Sequence, residues 1–505
     1  MRLLVHVPIA AVALLNLASC APAPSPRLEP MDAPPALQRE FRGVWIASVS
    51  NIDWPSQPGL PASQQQAELL AMFDRAVELN LNAIIFQIRP MADALYDSPY
   101  EPWSEYLTGM MGSPPDVAYD PLEFAIAEAH RRGLELHAWF NPYRARHPSA
   151  RSEISADHIS QTRRDIVREY GRHLWMDPGE PDVQDQTVRV ILDVVRRYDV
   201  DGIHIDDYFY PYRERDAAGE LIDFPDDPSY TRYASQGGTL SRDDWRRDNV
   251  DRLVERLHRE IRAEKPWVRF GISPFGIWRP GYPSQIQGFD AYDQIYADAR
   301  KWIVNGWMDY WTPQLYWPIA QTPQSFPVLL NWWVEQNQHG RHIWPGAIPN
   351  RVADTSQQPW LPSEVVGQIH VTRGHPGASG LVHFSMRSLM RDDSGLVEAL
   401  KAGPYATQAL PPATTWLPAP PVGEPRASLR PLTDGGAEVG LEMPGSERPA
   451  WWVVRARHDS GWETQIIPGW QTSHSITERM PLEIAVSAVD RLGNEGPLVV
   501  VGSNR

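Results

Sequence analysis

The chain has 505 residues, 42% of them apolar and 22% charged, which is the composition of a folded protein too long for one compact core. A formal net charge of −16 excludes a surface built for nucleic acid, which needs clustered cations. Twenty-one tryptophans and eighteen tyrosines supply flat apolar faces with polar edges, suited to core filling and equally to stacking on sugar rings.

Residues 3–17, LLVHVPIAAVALLNL, form a short apolar run behind Met1 and Arg2, with the flanks of a signal peptide rather than of a membrane span. The run ends in LASC, residues 17–20, and Cys20 is the only cysteine of the chain. This resembles the lipobox of bacterial lipoproteins, which implies a signal segment spanning 1–20, removal of residues 1–19, lipidation of Cys20 as the new N-terminus, and anchoring by lipid alone. Ala21 rather than an aspartate follows, which favours the outer membrane, facing the periplasm. Residues 21–38 are rich in proline and alanine and read as an extended tether.

From residue 39 to 404 the chain alternates β-like and helical runs. The strand candidates begin at Phe41, Ala83, Leu134, Asp201, Val268, Met308, His342 and Gly380. Between them lie amphipathic stretches such as 64–80, 121–133, 182–198 and 242–266, several with arginine and glycine stop signals. This alternation predicts an α/β fold, a (β/α)8 TIM-type barrel with enlarged loops. A doubly wound open sheet is the alternative, weakened because no glycine-rich phosphate loop follows the first strand. Residues 405–423, again rich in proline, alanine and threonine, read as a linker. Short alternating runs with turn signals over 424–505 predict a small all-β sandwich. Its ending AVSAVDRLGNEGP, residues 485–497, resembles the last strands of fibronectin type III domains.

In such a barrel the C-terminal strand ends and the loops after them build the active site. Along DGIHIDDYFYPY, residues 201–212, Ile203 and Ile205 take one face and His204, Asp206 and Tyr208 the other, with Asp207 opening the loop. Asp206 is the first candidate for a catalytic carboxylate. The other strand ends add Arg89, Asp93 and Tyr96; His137, Trp139, Asn141, Tyr143 and Arg144; Ser273 and Trp278; and Gln314, Tyr316 and Trp317. Polar and aromatic groups at one rim fit a saccharide cleft. Glycoside hydrolysis uses two carboxyl groups, one to protonate the leaving oxygen and one as nucleophile or base. The partner of Asp206 is sought among Asp207, Asp298 and Asp309, with Asp207 and Asp298 ranked first. The histidines show no HExxH and there is no GxSxG elbow, so neither a metal, a cofactor nor a serine nucleophile is expected.

The blocks FRGVWI, FQIRPMADALY, EPWSEYLTG, HAWFNPYR, DGIHIDDYFYP, FGISPFGIWR, YADARKWI and DYWTPQLYW carry a family resemblance. In this order, from about Phe41 to Met390, they are similar to the glycosyl-hydrolase-like 10 family, also called DUF187. The resemblance implies a barrel, an envelope location and hydrolysis of cell-wall glycan, in particular strands stripped of stem peptides. The family's Asp-Asp block falls on Asp206 and Asp207, its Tyr-Ala-Asp block on Asp298, and its Pro-Gln-x-Tyr-Trp block on Gln314, Tyr316 and Trp317. The strand also resembles the chitinase-type DGxDxDxE pattern, but Tyr208 replaces its acid and His204 its first inward aspartate. Two other readings stand beside the hydrolase of peptidoglycan-type glycan: a catalytically silent glycan-binding scaffold, and a hydrolase of exopolysaccharide or α-glucan. The expected partners are a cell-wall glycan, the membrane through the N-terminal lipid only, and an envelope protein at the sandwich; the chain is expected to be a monomer.

Overall fold

The first strand sets the pattern of the whole core. In β1 (Phe41–Ile46) the side chains of Phe41 and Trp45 turn to one side, and those of Val44 and Ile46 to the other. The strands that follow are β2 (Ala83–Arg89), β3 (Glu135–Phe140), β4 (Gly202–Ile205), β5 (Arg269–Ile272) and β6 (Tyr310–Trp311). They pair in parallel in that order. Strand β7 is split into His342–Ile343 and Gly346–Ala347, and β8 is Gly380–His383.

The split of β7 closes the barrel. Its first half pairs with β6 and its second with β8, which in turn pairs with β1. Between the halves, the Trp344 N–H donates to the Trp311 carbonyl at 2.8 Å, and the Val382 N–H to the Pro345 carbonyl at 3.0 Å. Pro345 has no N–H of its own, so it can take part only as an acceptor.

A helix follows each strand: α1 (Ala62–Glu78), α2 (Pro121–Arg131), α3 (Pro181–Arg197), α4 (Arg242–Glu264), α5 (Ala299–Asn305), α6 (Phe326–Gln336), α7 (Pro362–Gly374) and α8 (Leu396–Ala402). The chemistry of their ends is local. Asp120 caps α2 by accepting from the Leu122 and Glu123 N–H groups, with Pro121 at the first helical position. The (β/α)8 expectation is therefore met.

The structure is a computed structural model describing residues 33–392, 394–445, 448–477 and 479–502. The expected signal segment 1–20, the lipobox Cys20 and most of the tether lie outside the described residues. Among the described residues, the chain from Leu37 onward is a single unit. Among the described residues no helix is long and apolar enough to cross a membrane.

The sandwich is present as two antiparallel sheets. One joins β9 (Arg426–Pro431), β10 (Ala437–Glu442) and β13 (Ser473–Ile476). The other joins β11 (Trp451–His458), β12 (Gly461–Pro468), β14 (Glu483–Val489) and β15 (Val499–Gly502). Residues 405–423 carry no helix or strand and run across the N-terminal ends of the barrel strands. There Leu410 bridges Arg39, the Thr414 hydroxyl accepts from Arg269 Nε at 3.0 Å, and Trp416 Nε1 donates to Asp309 at 2.8 Å.

Candidate active site

Asp206 directly follows β4 and continues its inward face, on which Gly202 and His204 lie below it. It and Asp207 are each only 2% exposed. Three neighbours donate to Asp206. Trp139 Nε1 reaches Oδ2 at 3.0 Å, Asn141 Nδ2 lies 3.1 and 3.2 Å from the two oxygens, and the Tyr208 N–H reaches Oδ1 at 3.3 Å. The Asn141 amide is fixed in that sense, because its oxygen accepts from the Arg144 N–H at 2.8 Å and the Tyr143 N–H at 3.3 Å. From behind, Arg89 Nη1 donates to the Asn141 carbonyl at 2.6 Å, while Glu101 holds the guanidinium at 2.7 Å. The surroundings thus suit an ionised Asp206. Burial nonetheless lifts its pKa to about 7; the nearby Arg144, Trp139 and Asn141 oppose the rise, and the Asp207 charge adds to it.

Asp207 accepts from the Tyr212 hydroxyl through Oδ2. Burial raises its pKa as well, against the pull of Tyr212, Gln314 and Arg144. Burial and the adjacent Asp207 also push Tyr212 far above the ordinary phenol range, so its hydroxyl is the donor. Around the pair stands a wall of rings. The Arg144 guanidinium lies 4.8 Å from the Tyr208 ring centre, Tyr208 meets Tyr212 edge-on at 5.4 Å, and Tyr212 meets Phe289 at 5.0 Å. Phe289 in turn packs on Phe275 at 5.0 Å, and Phe275 on Trp317 at 5.7 Å. Across from them, Tyr316 and Trp45 flank Phe384 at 5.9 and 6.0 Å. Two adjacent carboxyls with raised pKa values, set among donors and ring faces, can supply one ionised and one protonated carboxyl at once.

Beneath Asp206 the barrel axis holds a buried polar chain. Trp45 Nε1, which can only donate, reaches His204 Nε2 at 3.3 Å, and Ser273 Oγ lies 3.0 Å from the same nitrogen. His204 therefore carries its proton on Nδ1 and donates to the Tyr310 hydroxyl at 3.1 Å. Tyr310 passes a hydrogen bond to His137 Nδ1 at 2.8 Å, and His137 Nε2 donates to Glu135 at 3.1 Å. Glu135 also takes Arg269 at 2.6 Å. Burial and the neighbouring His137 hold His204 well below the usual imidazole range, so it is neutral.

The structure brings together Trp139, Asn141, Arg144, Asp206, Asp207, Tyr208, Gln314 and Tyr316, with Ser273 just below and Trp317 on the ring wall. The remaining expected residues sit elsewhere. His137 and His204 are fully buried in the barrel interior, not at the rim. Arg89, Asp93, Tyr96 and Tyr143 are 0% exposed: Arg89 positions Asn141 from behind, Asp93 accepts from the Met91 N–H, and the two tyrosines fill the core. Trp278 and Asp298 belong to the outer helical layer. Asp298 caps α5 by accepting from the Lys301 N–H at 3.2 Å, and the Trp278 indole donates to the same oxygen at 3.1 Å. Asp309 lies at the opposite end of the barrel, held by Arg262 and Trp416. Of the three carboxyls weighed as partners of Asp206, Asp207 alone is its direct neighbour in the chain and in charge. Sequence reasoning missed Trp45, Tyr212, Tyr310, Phe275, Phe289 and Phe384. Two-residue alternation from Phe41 and from Gln314 points to Trp45 and Tyr310; nothing local marks Tyr212 or Phe289.

A closed eight-stranded barrel with a buried carboxyl pair at the C-terminal end of a strand is an arrangement that glycoside hydrolysis can use. Residues 40–361 match the family described as Glycosyl hydrolase-like 10, and the chain belongs to it. Glycosyl hydrolase YngK of Bacillus subtilis is 43% identical over 387 residues, covering 75% of this chain and 74% of its own. Glycosyl hydrolase DigH of Escherichia coli is 34% identical over 418 residues, covering 76% and 93%. Among solved structures, α-L-fucosidase isoenzyme 2 from Paenibacillus thiaminolyticus covers 73% of this chain and 49% of its own, at 12% identity and a TM-score of 0.46. The PgaB glycoside hydrolase domain from Bordetella bronchiseptica covers 72% and 98%, at 11% and 0.45.

Proposed function

We propose that this glycoside hydrolase cleaves glycosidic bonds in peptidoglycan-type glycan strands from which the stem peptides have been removed, with Asp206 and Asp207 as its two carboxyls. The observation that carries this reading is the buried Asp206–Asp207 pair beneath a wall of rings. Asp206, surrounded by donors, acts ionised as nucleophile or base. The two carboxyls share one proton, and in the proposed reaction it passes from Asp206 to Asp207 as the sugar binds, so that Asp207, held by the Tyr212 hydroxyl at Oδ2, delivers it to the leaving oxygen. The ring faces of Tyr208, Tyr316 and Trp317 take the apolar faces of the sugars, and Gln314 and Arg144 serve their hydroxyls. In the same proposal, Cys20 carries the lipid that holds the enzyme on the periplasmic side of the outer membrane, and the Pro/Ala-rich segment gives it reach.

The test is direct. Full-length protein in detergent is incubated with peptide-free glycan strands, intact peptidoglycan, an α-glucan and an exopolysaccharide, and products are read by mass spectrometry. Shortened fragments from the peptide-free strands, lost at least a thousandfold in Asp206→Asn, are expected, a loss of about 4 kcal/mol of transition-state stabilisation. Cleavage of only the α-glucan or exopolysaccharide would overturn the substrate. Binding of strands without cleavage at any pH would make the protein a glycan scaffold.

A further inference from the structure

A second cavity lies at the opposite end of the barrel from Asp206, between the N-terminal strand ends and the sandwich. Its volume is about 660 Å3, within the usual range of small-molecule sites. Trp470 and Trp451 of the sandwich line it with Trp267 of the barrel. Of the chain's 21 tryptophans, all within the described residues, only Trp470 is exposed, at 53%. It is nonetheless held in place: its indole N–H donates to the Arg131 carbonyl at 3.0 Å, as Trp451 donates to the Gly133 carbonyl at 2.7 Å. One tethered ring is therefore left half exposed at the cavity.

The polar lining is equally ordered. Arg491 lies over the Trp267 ring at 5.8 Å, and it donates to Asp199 at 2.8 Å and to Asp201 at 3.2 Å. Glu135, only 1% exposed, lines the cavity too. Its Oε2 is engaged by Arg269 and His137, but its Oε1, buried, has no protein partner. A buried carboxylate oxygen without a partner is costly unless a ligand supplies a donor.

We infer that this cavity is a second saccharide-binding site, taking a short neutral oligosaccharide such as N-acetylhexosamine units of a glycan strand. A pyranose ring lies on Trp470, and its hydroxyls donate to Glu135 Oε1 and exchange hydrogen bonds with Asp201 and Arg491. The four carboxylates of Glu135, Asp199, Asp201 and Asp490 face only two guanidiniums and the His130 ring, so the site takes the neutral N-acetylglucosamine residues of a strand, and the lactyl carboxylate that alternate residues of a peptide-free strand carry stays outside it. A purely apolar ligand would leave Glu135 unsatisfied. The site holds a strand at the foot of the barrel while the mouth works on it. The inference shares the substrate class of the proposed function but does not depend on cleavage.

The experiment uses the full chain carrying Asp206→Asn, titrated with the neutral N-acetylglucosamine tetramer and with peptide-free glycan strands, by calorimetry and tryptophan fluorescence. Two classes of site are expected. Adding Trp470→Ala weakens one at least tenfold and leaves the other unchanged; on the active enzyme, Trp470→Ala raises KM for long strands and leaves short oligosaccharides unaffected. A single class of site, or two classes both indifferent to Trp470→Ala, would overturn the inference. Binding that depends on Trp470 in a chain whose wild type cleaves no strand would sink the proposed activity and leave this site standing.

Discussion

Asp206 receives only donors, yet burial raises its pKa from the ordinary aspartate range to about 7. The folded state therefore keeps a proton that the unfolded chain releases near pH 4. Such a carboxyl contributes no penalty below its unfolded pKa, and stability falls as pH rises through the window from about 4 to about 7. Asp206→Asn, which cannot ionise, escapes that loss. Between about pH 5 and about pH 8 the stability difference should move in favour of the variant by about 2 kcal/mol or more, measured by urea denaturation at each pH. A difference that does not change with pH would mean that Asp206 is ionised throughout in the folded protein. In the proposed mechanism the same shift places the acid limb of kcat/KM near neutrality, because a nucleophile or base at Asp206 must be ionised. Asp206 itself was legible in the sequence through the two-residue period of IHID, and Trp139 and Asn141 through the same period in HAWFN. Tyr212 was not, because its approach to Asp207 is made by the loop and not by any strand.

At the level of the strand, alternation tells which face a residue takes but not how deep it lies. His204 and Asp206 share a face, but two residues separate them by about 6.6 Å along the axis, and that places one in the core and the other at the mouth. Strand-end reasoning failed at Trp278 and Asp298 for another reason: the chain after β5 travels outward before α5. Asp298 is followed three residues later by the N–H it caps, so helix capping explains it. The inward glycines were also mute in the sequence. Gly271 pairs with Tyr310 across β5 and β6, and a Cβ there would lie 2.0 Å from the Tyr310 ring. Gly202 likewise makes room for His137, whose Nδ1 would be 2.4 Å from an added Cβ. Gly271→Ala should therefore displace Tyr310 and break the hydrogen-bonded chain from His204 to His137. The expected cost is about 3 kcal/mol, read as a lower denaturation midpoint. An unchanged midpoint would show that the barrel interior yields more readily than its close packing implies.

For the whole molecule, the sandwich closes the end of the barrel opposite the Asp206–Asp207 pair. Arg269 donates to Glu135 within the barrel and to the Arg491 carbonyl of the sandwich at 2.9 Å. The sequence divided barrel from sandwich by composition; it gave no sign that residues 405–423 would pack against strand ends, because prolines and threonines read alike in tethers and in packed loops. His130 supplies a pH-dependent part of this junction. Its Nε2 lies 2.9 Å from Asp201 Oδ2, with Asp199 4.0 Å away from the other ring nitrogen and Arg491 on the far side of Asp201. Burial pulls the imidazole pKa down, but the Asp201 carboxylate outweighs it and the net shift is upward. Asp201 is shifted the other way: burial raises it, and His130, Arg491 and the Leu136 N–H together pull it below the usual range. The His130 contribution is therefore complete below about pH 6.5 and is lost as pH rises through its raised value, whereas that of Asp201 is present above about pH 4 and lost in stronger acid. His130→Gln should lower the melting temperature clearly at about pH 5.5 and much less at about pH 9. Calorimetry should show one transition in both proteins, because the ion pairs and indole bonds at the junction couple the sandwich to the barrel. An equal loss at both pH values would mean that His130 acts as a neutral hydrogen-bond donor, and a split transition would mean that the two parts unfold separately.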